Sequence, residues 1–141
     1  MNRVQRGLCP PQHTRPVGRY SPGVEVPLGA DVKMVFVSGQ VASDDQGNTI
    51  GVGDPARQTE VVIGNLEAVL RAAGGSLANL VSVVIYLRNI TDFPAVSAVR
   101  NRLFGEPAPS STLVEVSRLA IADHLVEISG VAVIHGAQPS S

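Results

Sequence analysis

The sequence is poor in cysteine: Cys9 is the only thiol, so a disulfide within one chain is excluded. One thiol is also too few for a metal cage built from thiolates. Cys9 and His13 have a spacing that metal sites use, but His124 and His135 lie far along the chain and no carboxylate cluster joins them. The cysteine usage therefore favours a reducing, cytoplasmic location without a metal centre.

The sequence also has little net charge. The formal net charge is −1 at pH 7, which provides no general attraction for a polyanion, so a nucleic-acid partner is not expected. No stretch approaches the roughly 20 apolar residues of a membrane span, and no membrane association is expected. Residues 1–23 hold four arginines and several prolines without the apolar core of a secretory signal. We expect loosely ordered tails over residues 1–19 and 136–141.

Core material, by contrast, is abundant. Hydrophobic residues make up 44% of the 141 residues and charged residues only 16%. A chain of this length is typical of one domain, which we place over residues 20–135. So few charges cover the surface of a monomer poorly, and the composition therefore indicates buried subunit interfaces.

Two amphipathic helices are predicted. Asp54 followed by Pro55 is typical of a helix start, apolar residues recur from Val62 to Ala73 at helical spacing, and Gly74 is placed to end the helix in the left-handed conformation. A second helix is predicted from about Asp92 to Gly105. Each helix has one apolar stripe, so each needs only one covering layer.

Strands are predicted on both sides of these helices, at residues 24–26, 34–37, 80–87, 112–116 and 125–133. The first two are separated by turn residues and form a hairpin. The crossovers place both helices against the sheet, and we expect them on the same face. The opposite face then carries apolar residues that a partner subunit covers, so we predict an α+β domain that forms homo-oligomers.

One carboxylate stands out in this pattern. Glu127 lies within the apolar run of the last strand, where a buried charge without partners is costly. It either faces water or performs general acid/base chemistry, and composition leaves both open.

These segments together resemble the reactive-intermediate deaminase (Rid) family, also described as a translation-inhibitor or endoribonuclease group. The resemblance spans residues 20–133, and the order and spacing of its motifs are specific. They are GRYSPG at 18–23, VSGQV at 37–41, NLEAVLRAAG at 65–74, TDF at 91–93, VEVSRL at 114–119 and VEI at 126–128.

The resemblance implies a chorismate-mutase-like α+β fold with two helices on one face of a mixed sheet, and sheets that pack together in a homotrimer. It also implies a small-molecule ligand in each cleft between subunits and hydrolysis of enamines or imines without a cofactor. By position, Glu127 is the catalytic residue that orients the water, while Tyr20, Ser38 and Gly39 line the pocket.

The sequence departs from the family at the substrate anchor. The family has Pro-Ala-Arg-Ser before Val-Glu-Val, and Ser111 stands at the position of its carboxylate-binding arginine. Ser97 replaces a common asparagine, and Leu113 replaces a small pocket cysteine; by position both line the pocket. Losing the arginine fork from a buried carboxylate costs on the order of 2–5 kcal/mol of binding. Whether Arg88 or Arg102 compensates depends on the structure.

Three functions remain open at this point. The first is a Rid-type hydrolase whose specificity is altered because Ser111 replaces the arginine. The second is a non-catalytic metabolite-binding or regulatory trimer. The third is an endoribonuclease or translation inhibitor, which would rely on the arginines of the N-terminal segment.

Overall fold

The computed structural model describes residues 4–135, which contain one sheet, two α-helices and two single 3-10 turns. No helix in this range is both long and apolar enough to cross a membrane. The strands are β1 (Arg6–Leu8), β2 (Gly23–Pro27), β3 (Val32–Gln40), β4 (Leu80–Leu87), β5 (Ser110–Glu115) and β6 (Val126–His135); the helices are α1 (Pro55–Ala72) and α2 (Phe93–Leu103).

The sheet is mixed, with the strand order β1-β2-β3-β6-β4-β5. Every neighbouring pair is antiparallel except β4 and β5, which are parallel because α2 carries the chain back to the start of β5. The predicted hairpin of β2 and β3 and the three later strands are confirmed, within one to three residues at their ends.

Helix α1 begins and ends where the sequence predicts. The Asp54 carboxylate accepts a hydrogen bond from the Arg57 amide at 3.0 Å, and Pro55 occupies the first turn. At the other end Gly74 has φ +85°, with its amide bonded to the Arg71 carbonyl, while the Gly75 amide reaches the Leu70 carbonyl. This pair of bonds is a Schellman motif, which requires the left-handed conformation that glycine adopts most easily.

Both helices cover the same face of the sheet, as predicted. Apolar side chains from the helices and from one face of the sheet form a single buried cluster. The core residues of β3, β4 and β6 alternate along each strand, as expected for a sheet with one covered face. They are Val35, Val37, Val83, Ile85, Leu87, Val126, Ile128, Ala132 and Ile134.

The opposite face of the sheet, which we call the open face, has no covering layer within residues 4–135. It is also apolar, and Phe36 and Val114 are 44% and 41% exposed there. Glu127 is the only acidic residue that the strand register places on it. The other apolar residues of the open face are Val24, Val26, Met34, Val84, Tyr86, Val131 and Val133.

The N-terminal segment is more ordered than the expectation of a loose tail over residues 1–19 implies. Strand β1 pairs with β2, and Arg6 donates to the Glu25 carboxylate at 3.1 Å. Leu8 is only 2% exposed because it packs into the core beside Gly23. The buried Leu8 side chain and the pairing of β1 with β2 thus order a segment whose sequence has no strand-like pattern. Residues 1–3 and the predicted C-terminal tail lie outside the described residues.

Candidate functional site

The residue that the sequence singles out lies in a cavity of about 420 Å³, which we call the Glu127 cavity. It forms where β3 ends, beside the start of β6 and the N-terminal segment. Tyr20, Ser38, Gly39 and Glu127 all line it, so the structure brings together four of the seven predicted site residues. Val41 and Ile121 contribute apolar surface to its lining.

The Glu127 carboxyl is half-buried, and this burial raises its pKa. Among the hydrogen bonds and ion pairs of residues 4–135, none involves this carboxyl. Burial therefore removes part of the water around this carboxyl, and no protein group within residues 4–135 replaces it with a hydrogen bond. Both carboxyl oxygens are thus available to a water or a ligand.

Gly39 makes room for this carboxyl. A Cβ at position 39 would lie 2.8 Å from Glu127 Cδ and closer still to one carboxyl oxygen, so a side chain there would displace Glu127. Strand β3 has a register irregularity between Val37 and Gln40, which brings the backbone of Gly39 towards β6. A glycine is needed here for close approach and not for an unusual φ.

The family resemblance implies that Glu127 is catalytic, and on that basis we expect Gly39→Ala to lower the rate of imine hydrolysis on the order of 10²-fold, because a shift of about 1 Å in a catalytic group has effects of that size. The fold should survive, since Gly39 itself is exposed. Gly29→Ala is the matched control, because a Cβ at Gly29 meets nothing within 4 Å. The measurement is kcat together with the melting temperature of both variants, and equal kcat values would contradict the assigned role of Gly39.

Ser38 and Gln40 fasten the N-terminal segment to the end of β3. The Ser38 hydroxyl donates to the Ser21 carbonyl at 2.6 Å, and its amide donates to the Pro22 carbonyl at 2.9 Å. Gln40 is 2% exposed; it accepts from His13 Nε2 at 2.7 Å and donates to the Ser38 carbonyl at 3.0 Å. These bonds position the segment that carries Tyr20 along the cavity wall.

A second pair of polar side chains lies deeper in the same cavity. Ser43 Oγ is 2.9 Å from Nε2 of His124, which is 1% exposed. Burial lowers the pKa of His124, with the charge of Asp123 opposing the shift, so the neutral imidazole is favoured, and its Nε2 shares a hydrogen bond with the Ser43 hydroxyl. This contact joins the loop after β3 to the residues that precede β6.

Gln58 of α1 holds the same two segments, and sequence reasoning missed it. Its buried amide donates to the carbonyls of Gly51 and Asp123 and accepts from the Leu125 amide at 2.8 Å. A signal existed, because Gln58 lies four residues before Val62 and so extends the apolar stripe of α1 with a polar residue. A buried glutamine on a helix stripe indicates loops that need hydrogen-bond partners.

The remaining predicted residues lie elsewhere. Ser111 pairs with Val83 and Glu127 with Tyr86, and these two positions on β4 point to opposite faces of the sheet. Ser111 lines a second cavity of about 330 Å³ together with Arg100 of α2, which we call the Arg100 cavity. Ser97 accepts a hydrogen bond from Arg100 beside it. Leu113 packs against the hydrophobic core. Within one chain, the predicted site residues are therefore not all in the same cavity.

Arg88 and Arg102, the arginines considered as replacements for the missing fork, both have partners within residues 4–135. Arg102 forms an ion pair with Glu60 at 2.7 Å, and Arg88 donates to the Ala122 carbonyl. Arg88 and Arg118 share a shallow surface cavity that contains neither Ser111 nor Glu127. Arg15 lines the Glu127 cavity but is exposed to solvent.

Possible metal ligands are not gathered at either cavity. In the part of the chain that the structure describes, no three histidine, cysteine, aspartate or glutamate side chains lie together in a metal-binding arrangement. His13 is bonded to Gln40, and Cys9 Sγ lies 3.8 Å from the Pro10 carbonyl.

A mixed sheet with two helices on one face defines a chorismate-mutase-like α+β domain. The sequence profile described as Endoribonuclease L-PSP matches residues 11–134. The chain belongs to this family, the same group as the Rid proteins that its motifs resemble.

Individual relatives agree with this assignment. A RutC family protein of Pyrococcus abyssi is 38% identical over 118 residues, covering 84% of this chain and 88% of the relative. A 2-iminobutanoate/2-iminopropanoate deaminase of Dermatophagoides farinae is 31% identical, covering 92% and 97%. The structure of a candidate endoribonuclease from Thermotoga maritima superposes with a TM-score of 0.80 at 32% identity, covering 93% of this chain and 98% of that one.

Proposed function

We propose that the chain is a cofactor-free hydrolase of the cytoplasm that converts a small imine or enamine into a carbonyl compound and ammonia. The observation that carries the proposal is the half-buried Glu127 carboxyl, which has no protein partner within residues 4–135 and lies against Gly39 in an apolar cavity. The deaminase name of the Dermatophagoides relative supports the same reaction class.

Hydrolysis of the imine consumes one water, and both protons of that water end on the nitrogen. In the addition step Glu127 accepts a proton from the water as the water oxygen bonds to the imine carbon, and it returns this proton to the imine nitrogen to give a carbinolamine. In the second step Glu127 accepts the proton of the carbinolamine hydroxyl and returns it to the nitrogen, so that the C–N bond breaks, ammonia leaves and the C–O bond becomes C=O. A carboxyl with a raised pKa suits this exchange because it accepts a proton more readily than an ordinary glutamate and can return it.

The substrate is expected to be small and partly apolar. Tyr20 and Ser38 are the proposed polar contacts, and Val41 and Ile121 provide room for a short aliphatic group. Because Ser111 stands where the family has its arginine, we propose a specificity that differs from that of deaminases with an arginine at this position.

The functional unit in this proposal is a homotrimer with its ligands in the clefts between subunits. The open face supports it, because nine apolar side chains, with Phe36 and Val114 more than one third exposed, make a surface that favours burial against another copy. The placement of Ser111 and Glu127 on opposite faces of the sheet agrees with a site shared by two chains.

The test is ammonia release from 2-iminopropanoate and from an uncharged imine of similar size, each generated in the assay. We expect the protein to accelerate hydrolysis of at least one of them well above the rate in buffer. Protein inactivated by heat is the control for contaminating amines. If neither imine is hydrolysed faster than in buffer by a folded oligomer, the proposed function is wrong.

A further inference from the structure

We propose that Arg100 is the anion-binding residue of this site and takes the role that Ser111 cannot perform. The inference rests on the proposed function and specifies its substrate class: a small imine or enamine that carries a carboxylate. Arg100 would be a specificity-determining residue, and Ser97 a positioning residue that acts through it.

The guanidinium of Arg100 is already oriented. Arg100 lies in the last turn of α2 and is half-buried. Its Nη2 donates to the Ser97 hydroxyl at 2.9 Å, and its Nε donates to the Asn101 side-chain oxygen at 3.3 Å. A guanidinium has five N–H donors, and these two bonds leave the others available for the paired contacts that a carboxylate accepts.

The positive charge of Arg100 is also not neutralised. Five ion pairs occur within residues 4–135, and none involves Arg100, whereas its helix neighbour Arg102 is paired with Glu60. Glu106 lines the same cavity without pairing to Arg100. A half-buried cation with free donors at a cavity wall favours an anionic ligand.

The two departures at positions 97 and 111 are connected through this residue. Ser111 and Arg100 line one cavity of about 330 Å³, Ser111 from β5 and Arg100 from α2. An arginine at position 111 would extend a guanidinium from β5, whereas serine leaves that volume empty. Ser97, also short, contacts the guanidinium that enters from the helix instead. The charge is thus retained and its origin has moved from the strand to the helix.

The experiment compares Arg100→Ala with Arg102→Ala, a variant of the same helix turn that lacks the cavity contact. For a carboxylate-bearing imine we expect Arg100→Ala to lower kcat/KM on the order of 10²-fold, mainly through KM, while an uncharged imine is hydrolysed nearly as before. Arg102→Ala should leave both unchanged. Adding Ser111→Arg to Arg100→Ala should restore most of the loss, since a guanidinium returns to the same cavity.

A binding measurement separates this inference from the proposed function. Calorimetric titration with 2-oxobutanoate, a carboxylate that cannot be deaminated, should show weaker binding to the Arg100→Ala protein, and Arg100→Lys should fall between the two. This outcome supports an anion site even if no imine is hydrolysed. Unchanged binding of 2-oxobutanoate by Arg100→Ala would overturn the inference, as would a loss caused by Arg15→Ala instead.

Discussion

Replacing Glu127 with glutamine is expected to lower kcat by about 10²–10⁴-fold, the usual contribution of a general acid or base. Glutamine keeps the size and the polarity of the side chain but cannot accept a proton from water. The cavity, with its Tyr20 and Ser38 walls, should therefore still bind ligand, and KM should change less than kcat. Ammonia release under saturating imine measures this, and Glu67→Gln on the surface of α1 is the matched control.

The pH dependence provides an independent check of the same group. Burial raises the pKa of Glu127, so the carboxylate form needed as a base is reached only above the usual glutamate pKa of about 4.3. We expect the acid limb of the wild-type pH–rate profile to lie above that value and to disappear in the residual activity of Glu127→Gln. A limb at the same pH in both proteins would assign it to the substrate.

The melting temperature of Glu127→Gln distinguishes a loss of catalysis from a loss of folded protein. A carboxyl with a raised pKa binds its proton more tightly in the folded state, so its contribution to stability is fullest below the unfolded pKa and falls as pH rises through the folded pKa. At neutral pH the charged Glu127 therefore costs stability, and the glutamine variant should melt at the same temperature or higher. A clear drop in melting temperature would mean that Glu127 has structural bonds, contrary to its unpaired state.

Much of the fold can be predicted from local chemistry. The Asp54-Pro55 start and the Gly74 end of α1 are set by which residues satisfy free backbone groups, and both are found as predicted. Side chains alternate between the two faces of β6, so Glu127 lies on the face away from the core-facing Val126 and Ile128. The alternating pattern alone therefore predicts that this carboxylate of a central strand lies outside the core.

The rest depends on contacts between distant segments. Strand β1 exists because Leu8 finds space in the core beside Gly23, and nothing in residues 6–8 indicates a strand. The opposite faces of Ser111 and Glu127 follow from the pairing of β5 and β6 with β4, a register that neither strand determines by itself. In the sequence, Arg100 is placed like any charged residue on the polar side of a helix. Its proposed role in anion binding rests on the cavity that it shares with Ser111.

These placements suggest why the oligomer matters for the chemistry. Glu127, the proposed proton acceptor, lies on the open face of the sheet, and Arg100, the proposed anion-binding residue, lines a cavity on the helix side. Within one chain the sheet lies between Ser111 and Glu127, so one small substrate cannot contact both sides. Packing one chain against the next is the arrangement that allows a single small substrate to reach both.

Mixing two impaired variants should therefore recover activity on a carboxylate-bearing imine. In trimers assembled from equal amounts of Arg100→Ala and Glu127→Gln chains, a site shared by two neighbours receives both native residues in about a quarter of cases, if assembly is random. For this imine we expect the co-expressed mixture to approach about a quarter of the wild-type kcat/KM per site, far above the kcat/KM of either variant alone. Pre-formed trimers mixed without subunit exchange are the control, and their kcat/KM should stay as low as that of the separate variants. If each site belonged to a single chain, neither sample would recover activity, because every chain carries one of the two defects. The difference between the two samples therefore reports whether Arg100 and Glu127 of neighbouring chains act on one substrate.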